Sequence, residues 1–267
     1  MIEVEQFRDD IVCVKTATES NGQPIMWVYS YLIGKVLFDA GCANAASEFA
    51  SVVGKHPPEM LLVSHSHEDH VGACSQLEHN TPVYARPAVI PILRAPPVIG
   101  EFFSYVWGQP GPVEDVRVIP TSVESGDYYL ELVELPGHGR DMVGFYEPRK
   151  RWLFSADAVP LPSKKQIAID DENVPRMIST MEKIQQMDIA VLFDSHRGPI
   201  QSPREHIQKR IDYLKGIAER ARVLHEEGVS IDDIVKALEF EAPWYMDLTG
   251  RRFGMDYLIR SLLFDKP

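Results

Sequence analysis

The segment His65-Ser66-His67-Glu68-Asp69-His70 packs four side chains able to ligate a metal, His65, His67, Asp69 and His70, into six residues. It directly follows the apolar run Leu61 to Ser64, which reads as a strand. An extended backbone puts His65 and His67 on the same side, and a turn into a following helix carries Asp69 and His70 back toward them. Ligands suited to borderline metals are thereby concentrated in a small volume. Taken alone, the segment also reads as a histidine-rich polar loop on the surface. The rest of the chain repeats the placement. His138 follows the run Tyr128 to Leu135 through Pro136-Gly137, Asp157 follows Trp152 to Ser155, and His196 follows Ile189 to Phe193. Each candidate ligand sits just past a strand end, and loops leaving one edge of a sheet can converge on one site. A lone buried histidine would not recur in this way.

The periodicity around these segments is mixed. Strands are expected at Met26 to Ile33, Lys35 to Phe38, Val116 to Ile119 and Met142 to Tyr146, besides those named above. Helices are expected at Ala43 to Val53, Val71 to Glu78 and Pro175 to Met187, where Met177, Ile178, Met181 and Ile184 fall near one face. Sheets covered by helices follow from this pattern. From Pro203 the strand signal disappears. Ser202 to Glu227 reads as one long helix, Ser230 with Asp233 as a capping-box-like start to a helix Ile231 to Phe240, and Phe253 to Phe264 as a last helix. The expected organisation is a catalytic domain over residues 1–200 and a helical C-terminal extension over 201–267.

Composition narrows the function. With 27 Lys+Arg against 39 Asp+Glu the formal charge is −12, which disfavours a long-range field for nucleic acid or anionic membrane. No run approaches the ~20 apolar residues of a membrane span, and the acid-bearing opening stretch Met1 to Thr16 resembles neither a signal nor a transit peptide. Cys13, Cys42 and Cys74 are odd in number and lack CxxC spacing, arguing against a disulfide framework and for a reducing cytoplasm. Cys42 reads as a buried, inert thiol. His56, His79, His206 and His225 lie away from strand ends and read as surface or helix-face residues; Glu68 is expected to be solvent-exposed.

His65-Ser66-His67-Glu68-Asp69-His70, Pro136-Gly137-His138, Phe154-Ser155-Ala156-Asp157 and Asp194-Ser195-His196, in this order over roughly Glu3 to Pro199, resemble the successive motifs of the metallo-β-lactamase superfamily. The resemblance implies an α/β fold, the αββα sandwich, with metals at one edge. It implies that His65, His67 and His138 hold a first metal, that Asp69, His70 and His196 hold a second, and that Asp157 bridges the two. It also implies that Asp39, in Leu37-Phe38-Asp39-Ala40-Gly41, supports the ligand loop from behind. Two divalent ions, the carboxylates of Asp69 and Asp157 and a bridging hydroxide leave a site of about +1, able to produce hydroxide at neutral pH. No catalytic Ser or Cys is needed, and Asp69 is the expected proton acceptor. Zinc is the first expectation for the metal, with manganese and iron open.

Fold and site leave the substrate undetermined. Glyoxalase II-like enzymes continue their PGH as PGHTPGH, whereas this chain reads Gly139-Arg140-Asp141-Met142 after His138, and Ala158 to Lys165 does not resemble their glutathione-site motif. The leading expectation is hydrolysis of an ester-like bond, thioester, lactone or carboxylic ester, in a small molecule. Phosphodiester cleavage, including RNA, is the alternative, with Arg197, Arg204, Lys209, Arg210, Arg251 and Arg252 as a local basic footprint. An iron-dependent sulfur dioxygenase and a metal-binding protein without turnover remain as further readings. Between Pro96 and Gly108, four aromatics in six residues (Phe102, Phe103, Tyr105, Trp107) read as a core helix or a homodimer contact, or else as a lid with Trp244 and Tyr245 as its facing wall.

Overall fold

The computed structural model describes residues 1–8, 11–160 and 166–266; of the segment Ala158 to Lys165, residues 161–165 lie outside the described residues. The chain runs β1 (Ile2–Phe7), β2 (Ile11–Thr16), β3 (Glu19–Ser20), β4 (Gln23–Pro24), β5 (Val28–Ile33) and β6 (Val36–Phe38), then α1 (Ala46–Val53), β7 (Met60–Leu62), α2 (Glu68–Val71) and α3 (Cys74–Leu77). It continues through β8 (Val83–Ala85), α4 (Ile90–Arg94), α5 (Glu101–Trp107), β9 (Val116–Val118), β10 (Ser122–Ser125), β11 (Tyr128–Glu134), β12 (Val143–Glu147) and β13 (Trp152–Ala156). Last come β14 (Ala168–Ile169), α6 (Val174–Gln186), β15 (Val191–Asp194), β16 (Gly198–Gln201), α7 (Arg204–Glu226), α8 (Ile231–Ala237), β17 (Phe253–Gly254) and α9 (Met255–Phe264).

Two compact units share the chain: residues 1–134, 143–156 and 190–201 make one, and 135–142, 157–189 and 202–267 the other. They interleave along the sequence rather than meeting at a single boundary near residue 200. The first unit holds two sheets, ordered β1-β2-β5-β6-β7-β8-β9 and β10-β11-β12-β13-β15-β16. Its central strands are apolar throughout because both faces are covered, and the period-two alternation survives as a division of labour. Leu32, Leu37, Leu61 and Val63 pack with Ala46, Phe49 and Val53 of α1 and Leu77 of α3. Tyr31, Ile33, Phe38 and Leu62 face the other way and meet Leu130, Phe145, Trp152, Phe154 and Phe193 of the second sheet. Phe154 is stacked on both Phe38 and Phe193, with ring centroids 4.4 and 4.6 Å apart.

β1 and β2 arise from the acidic opening stretch. β1 alternates apolar and acidic residues only over Ile2-Glu3-Val4-Glu5 and is mostly exposed, and it pairs along its whole length with β2. The helix expected over Val71 to Glu78 is broken into α2 and α3, for a reason visible at Gly72. Its N–H bonds to Gly41 O at 2.8 Å and the N–H of Ala73 to Ala40 O at 3.1 Å, in place of bonds along the helix. A Cβ on Gly72 would lie 2.1 Å from Ala43 N, so only glycine permits this docking.

In the second unit, α6 buries Val174, Met177, Ile178, Met181 and Ile184 and packs on α7 and α9. α7 buries Ile207, Ile211, Leu214, Ile217 and Ala221 at helical spacing. Ile217 and Ala221 join Ile234 and Leu238 around α8 and Ile259 of α9 in a separate core. α8 starts as expected, with Ser230 Oγ accepting from Asp233 N–H at 3.3 Å. Among the described residues no helix is long and apolar enough to cross a membrane.

Candidate metal centre

In the first unit the ligand-bearing segment after β7 is zipped to the loop after β6. Ala40 N–H donates to His70 O at 2.7 Å, and Asp39 does the rest with one carboxylate. Its Oδ1 accepts from Ser64 N–H (2.8 Å), and its Oδ2 accepts from Ser64 Oγ–H (2.7 Å) and His70 Nδ1–H (2.7 Å). Asp39 is buried and takes a φ of +56°, a left-handed turn that aspartate tolerates better than most residues and that aims its side chain at the next loop. With His70 Nδ1 spent on Asp39, Nε2 is the ring nitrogen left to ligate.

The same logic orients His196. Its Nδ1 bonds to Trp27 O at 3.0 Å, while Asp194 Oδ1 accepts from the N–H groups of His196 (2.9 Å) and Arg197 (3.0 Å) and Oδ2 accepts from the Arg197 guanidinium. Asp69 Oδ2 then stands 3.6 Å from Nε2 of both His70 and His196. Ligands bound at ~2.0–2.2 Å around a tetrahedral zinc would be roughly 3.3–3.6 Å apart, so this triplet has the spacing of a coordination shell. The His65 ring lies 4.5 Å from that of His67 and 4.2 Å from that of His70, centroid to centroid.

In the second unit His138 sits on the turn Pro136-Gly137-His138 with its Nε2 3.2 Å from Asp157 Oδ2 and its Nδ1 2.7 Å from Glu172 Oε1. Burial alone would lower the His138 pKa; the carboxylates of Asp157 and Glu172 outweigh it and push the value up to about 9. Positive charge is favoured at that position, and a metal ion there would compete with the proton.

Taken atom by atom, ligand atoms of Asp69, His70 and His196 all lie within 4.8 Å of one another in the first unit, as do those of His65 and His67, and those of His138 and Asp157 do so in the second. The seven side chains singled out from the sequence thus fall into two groups, His65, His67, Asp69, His70 and His196 in the first unit and His138 with Asp157 in the second. The donor set, imidazole with carboxylate, suits divalent zinc, manganese or iron, and the 3.6 Å separations of Asp69 from His70 and His196 fit such an ion.

Other expectations meet the structure differently. Glu68 is buried rather than exposed, because α2 begins at this residue and turns it inward with Asp69 and His70. His56, His79 and His225 are exposed and His206 half-buried, all outside the two groups. Cys42 is buried, which pushes its thiol pKa up. The aromatic stretch forms α5, docked by Asn44 Nδ2 on Tyr105 O at 3.0 Å, with Phe103 and Trp107 buried and Tyr105 exposed. The Trp107 ring lies 6.4 Å from that of His196, so the end of α5 stands beside a candidate ligand. Trp244 is 82% exposed. Glu172 and the Trp27 carbonyl escaped the sequence. Glu172 lies in an acidic run, Asp170-Asp171-Glu172, that reads as a surface loop, and a backbone carbonyl has no sequence signal at all.

Residues 28–196 match the family described as the metallo-beta-lactamase superfamily. A hydroxyacylglutathione hydrolase from Bdellovibrio bacteriovorus is 27% identical over 129 residues, 46% of this chain and 43% of that protein. The matched region thus spans less than half the length of this curated relative. Among solved structures, a beta-lactamase domain protein from Burkholderia ambifaria has a TM-score of 0.71 at 16% identity, over 97% of this chain and 87% of the other. A metallo-beta-lactamase family protein from Thermus thermophilus has 0.68 at 15%, over 93% and 90%. A metallo-beta-lactamase from Pontibacter korlensis has 0.65 at 18%, over 80% and 99%. At these identities the likeness is one of fold, and the α/β architecture expected from the motifs is the one these proteins share.

Proposed function

The chain belongs to the metallo-beta-lactamase superfamily and is an enzyme of its hydrolase kind, and from that premise we propose that it cleaves an ester-like bond, thioester, lactone or carboxylic ester, in a small molecule at a pair of divalent metal ions, with zinc the first choice. The observation that carries this reading is the Asp69, His70 and His196 triplet, in which Asp69 Oδ2 stands 3.6 Å from Nε2 of both imidazoles. The family resemblance makes Asp157 the carboxylate that would serve both ions. His65, His67 and His138 would hold one ion, Asp69, His70 and His196 the other, and Asp157 both. When bound, the ions supply a nucleophile drawn from water at neutral pH and a Lewis acid for the carbonyl oxygen.

The protein's own residues have the remaining tasks. Asp69, buried and close to His70 and His196, is the carboxylate placed to take up the proton released as water attacks. Asp39, Glu172 and the Trp27 carbonyl hold the imidazoles so that the right nitrogen faces inward. The name of the Bdellovibrio relative, hydroxyacylglutathione hydrolase, favours thioesters among the three ester classes, while the missing PGHTPGH continuation weighs against glutathione itself as the carrier. The basic footprint that phosphodiester cleavage would draw on is partly committed: Arg197 pairs with Asp194, Lys209 with Glu205 at 2.7 Å and Arg251 with Asp256 at 3.3 Å. Three buried free cysteines suit a reducing compartment such as the cytoplasm.

Metal analysis coupled to a panel of thioesters, lactones, carboxylic esters and bis-nitrophenyl phosphate tests the proposal. Two ions per chain are expected, with turnover of at least one acyl class exceeding that of the phosphodiester and abolished by chelation. One ion in a fully loaded preparation refutes the dinuclear assignment, and a protein that turns over only the phosphodiester refutes the acyl reading. Trp107, beside His196, supplies a finer test. Trp107→Phe, which keeps an apolar ring in place, is expected to retain metal content and turnover of small esters while raising KM for esters with bulky apolar groups several-fold. An equal effect on small and bulky substrates would make Trp107 a packing residue only.

A further inference from the structure

Several contacts that steady the Pro136-Gly137-His138 turn come from the first half of α6 and the two residues before it. Asn173 N–H donates to Gly137 O at 2.9 Å and Thr180 Oγ1 to Pro136 O at 2.6 Å. A Cβ on Gly137 would come within 2.5 Å of the Met177 backbone, so the turn lies directly on the helix. Glu172, buried just before α6, adds the bond from Oε1 to His138 Nδ1 and spends its Oε2 on Ile169 N–H at 3.1 Å. A bidentate anchor of this kind leaves the carboxylate a single orientation, and hence the imidazole too.

The start of α6 is in turn held by the end of the chain. Ser261 of α9, 5% exposed, accepts from Val174 N–H at 2.8 Å and lies 3.2 Å from Glu172 O and 2.6 Å from Asp265 Oδ2, its one proton serving these two acceptors. Asn173 caps α6 through Oδ1 and reaches Lys266 O at 3.0 Å through Nδ2. β14, whose Ile169 binds Glu172, pairs antiparallel with β17, immediately before α9. Residues on both sides of Glu172 are therefore tied to one C-terminal segment.

We propose that α9 is a positioning element for the metal centre: Ser261 fixes the α6 start, this places Glu172, and Glu172 holds His138 with Nε2 toward the ion. The proposal rests on the reading of His138 as a ligand. It gives the C-terminal extension a task at the centre rather than the role of an appendage, and makes Glu172 and Ser261 positioning residues.

The test is zinc binding to the full-length apo-protein, titrated with zinc alone against a chromophoric chelator, in parallel with thermal unfolding. Glu172→Ala is expected to weaken zinc binding roughly 10- to 100-fold, Glu172→Gln less because it keeps one acceptor, and Ser261→Ala by about tenfold, the low end of that range. Ile259→Val, which trims the buried core that α9 shares with Ile217 and Ala221 of α7 and Ile234 of α8, should lower Tm and leave zinc affinity unchanged. His138→Ala separates the two layers of the argument. Wild-type zinc affinity in His138→Ala removes the ligand assignment and the proposal with it. If His138→Ala loses affinity while Glu172→Ala or Ser261→Ala keeps it, or if Ile259→Val weakens zinc as much as Ser261→Ala at a matched fall in Tm, the positioning role alone is overturned.

Discussion

Asp157→Ala is expected to strip the protein of most of its bound metal at both positions and to lower turnover by roughly a thousandfold or more. The metals are assigned several kcal/mol of transition-state stabilisation, and each ~1.4 kcal/mol is tenfold in rate. The reason for a double loss is the bridging role that the family resemblance assigns to Asp157: its removal deprives each imidazole set of the carboxylate they would share. The backbone leading to it is built for the purpose. The β13–β15 register shifts between Phe154 and Ala156, and Ala156, with a φ of +46°, is a non-glycine residue in the left-handed region. Such a conformation costs on the order of 1–3 kcal/mol and persists where the surroundings enforce it. His206→Ala is the matched control, since His206 is half-buried on α7 and in neither group. Elemental analysis of the two purified variants, both verified as folded by circular dichroism, decides the matter; equal metal loss would mean that the division of histidines into ligands and bystanders is wrong.

Asp39→Ala is expected to damage stability and metal binding together, and Asp39→Asn to separate them. The alanine variant leaves Ser64 N–H and His70 Nδ1–H without their acceptor, at about 1–3 kcal/mol for each buried donor, and weakens metal binding by roughly 10- to 100-fold. Asparagine tolerates the left-handed backbone at this position and keeps one acceptor oxygen, so most of the stability should return. If its oxygen stays on Ser64 N–H, its NH2 faces His70 Nδ1, which must then accept rather than donate. That moves the ring proton to Nε2, the nitrogen assigned to the metal. Denaturant unfolding should therefore place Asp39→Asn near wild type while zinc titration places it near Asp39→Ala. An asparagine variant that binds zinc like wild type would dismiss the tautomer argument and leave Asp39 a purely structural residue.

Much of the centre is legible in the order of residues alone because its parts are local. A histidine two residues from another on extended backbone, an aspartate just past a strand and a Pro-Gly turn before a third histidine each state their own geometry over a few residues. The strands that carry them are apolar runs of ordinary length, and α6 and α7 announce their buried faces by spacing. The illegible parts are those set by a distant partner. A surface position is expected for Glu68 because the resemblance gives its position no ligand role, yet the turn at α2 buries it. The helix over Val71 to Glu78 has continuous propensity but surrenders bonds at Gly72 and Ala73 to carbonyls of the loop after β6.

The sequence by itself determined the order of the motifs, the family they belong to, the positions of the candidate ligands at strand ends and the largely helical character of the last quarter, since all of these follow from residue type and spacing along a short stretch. The resemblance already gave Asp39 a supporting role; only the tertiary structure decided that its partner is the His70 ring, and that Glu172 and the Trp27 carbonyl orient the rings of His138 and His196. Only it showed α9 clamping the start of α6, and the compact units interleaving rather than dividing near residue 200. Those bonds join residues 31, 34, 169 and 87 positions apart. Which donor meets which acceptor over such separations is settled by how whole elements pack, and the best pairing for a buried imidazole nitrogen or hydroxyl exists only once that packing has removed water as the competing partner.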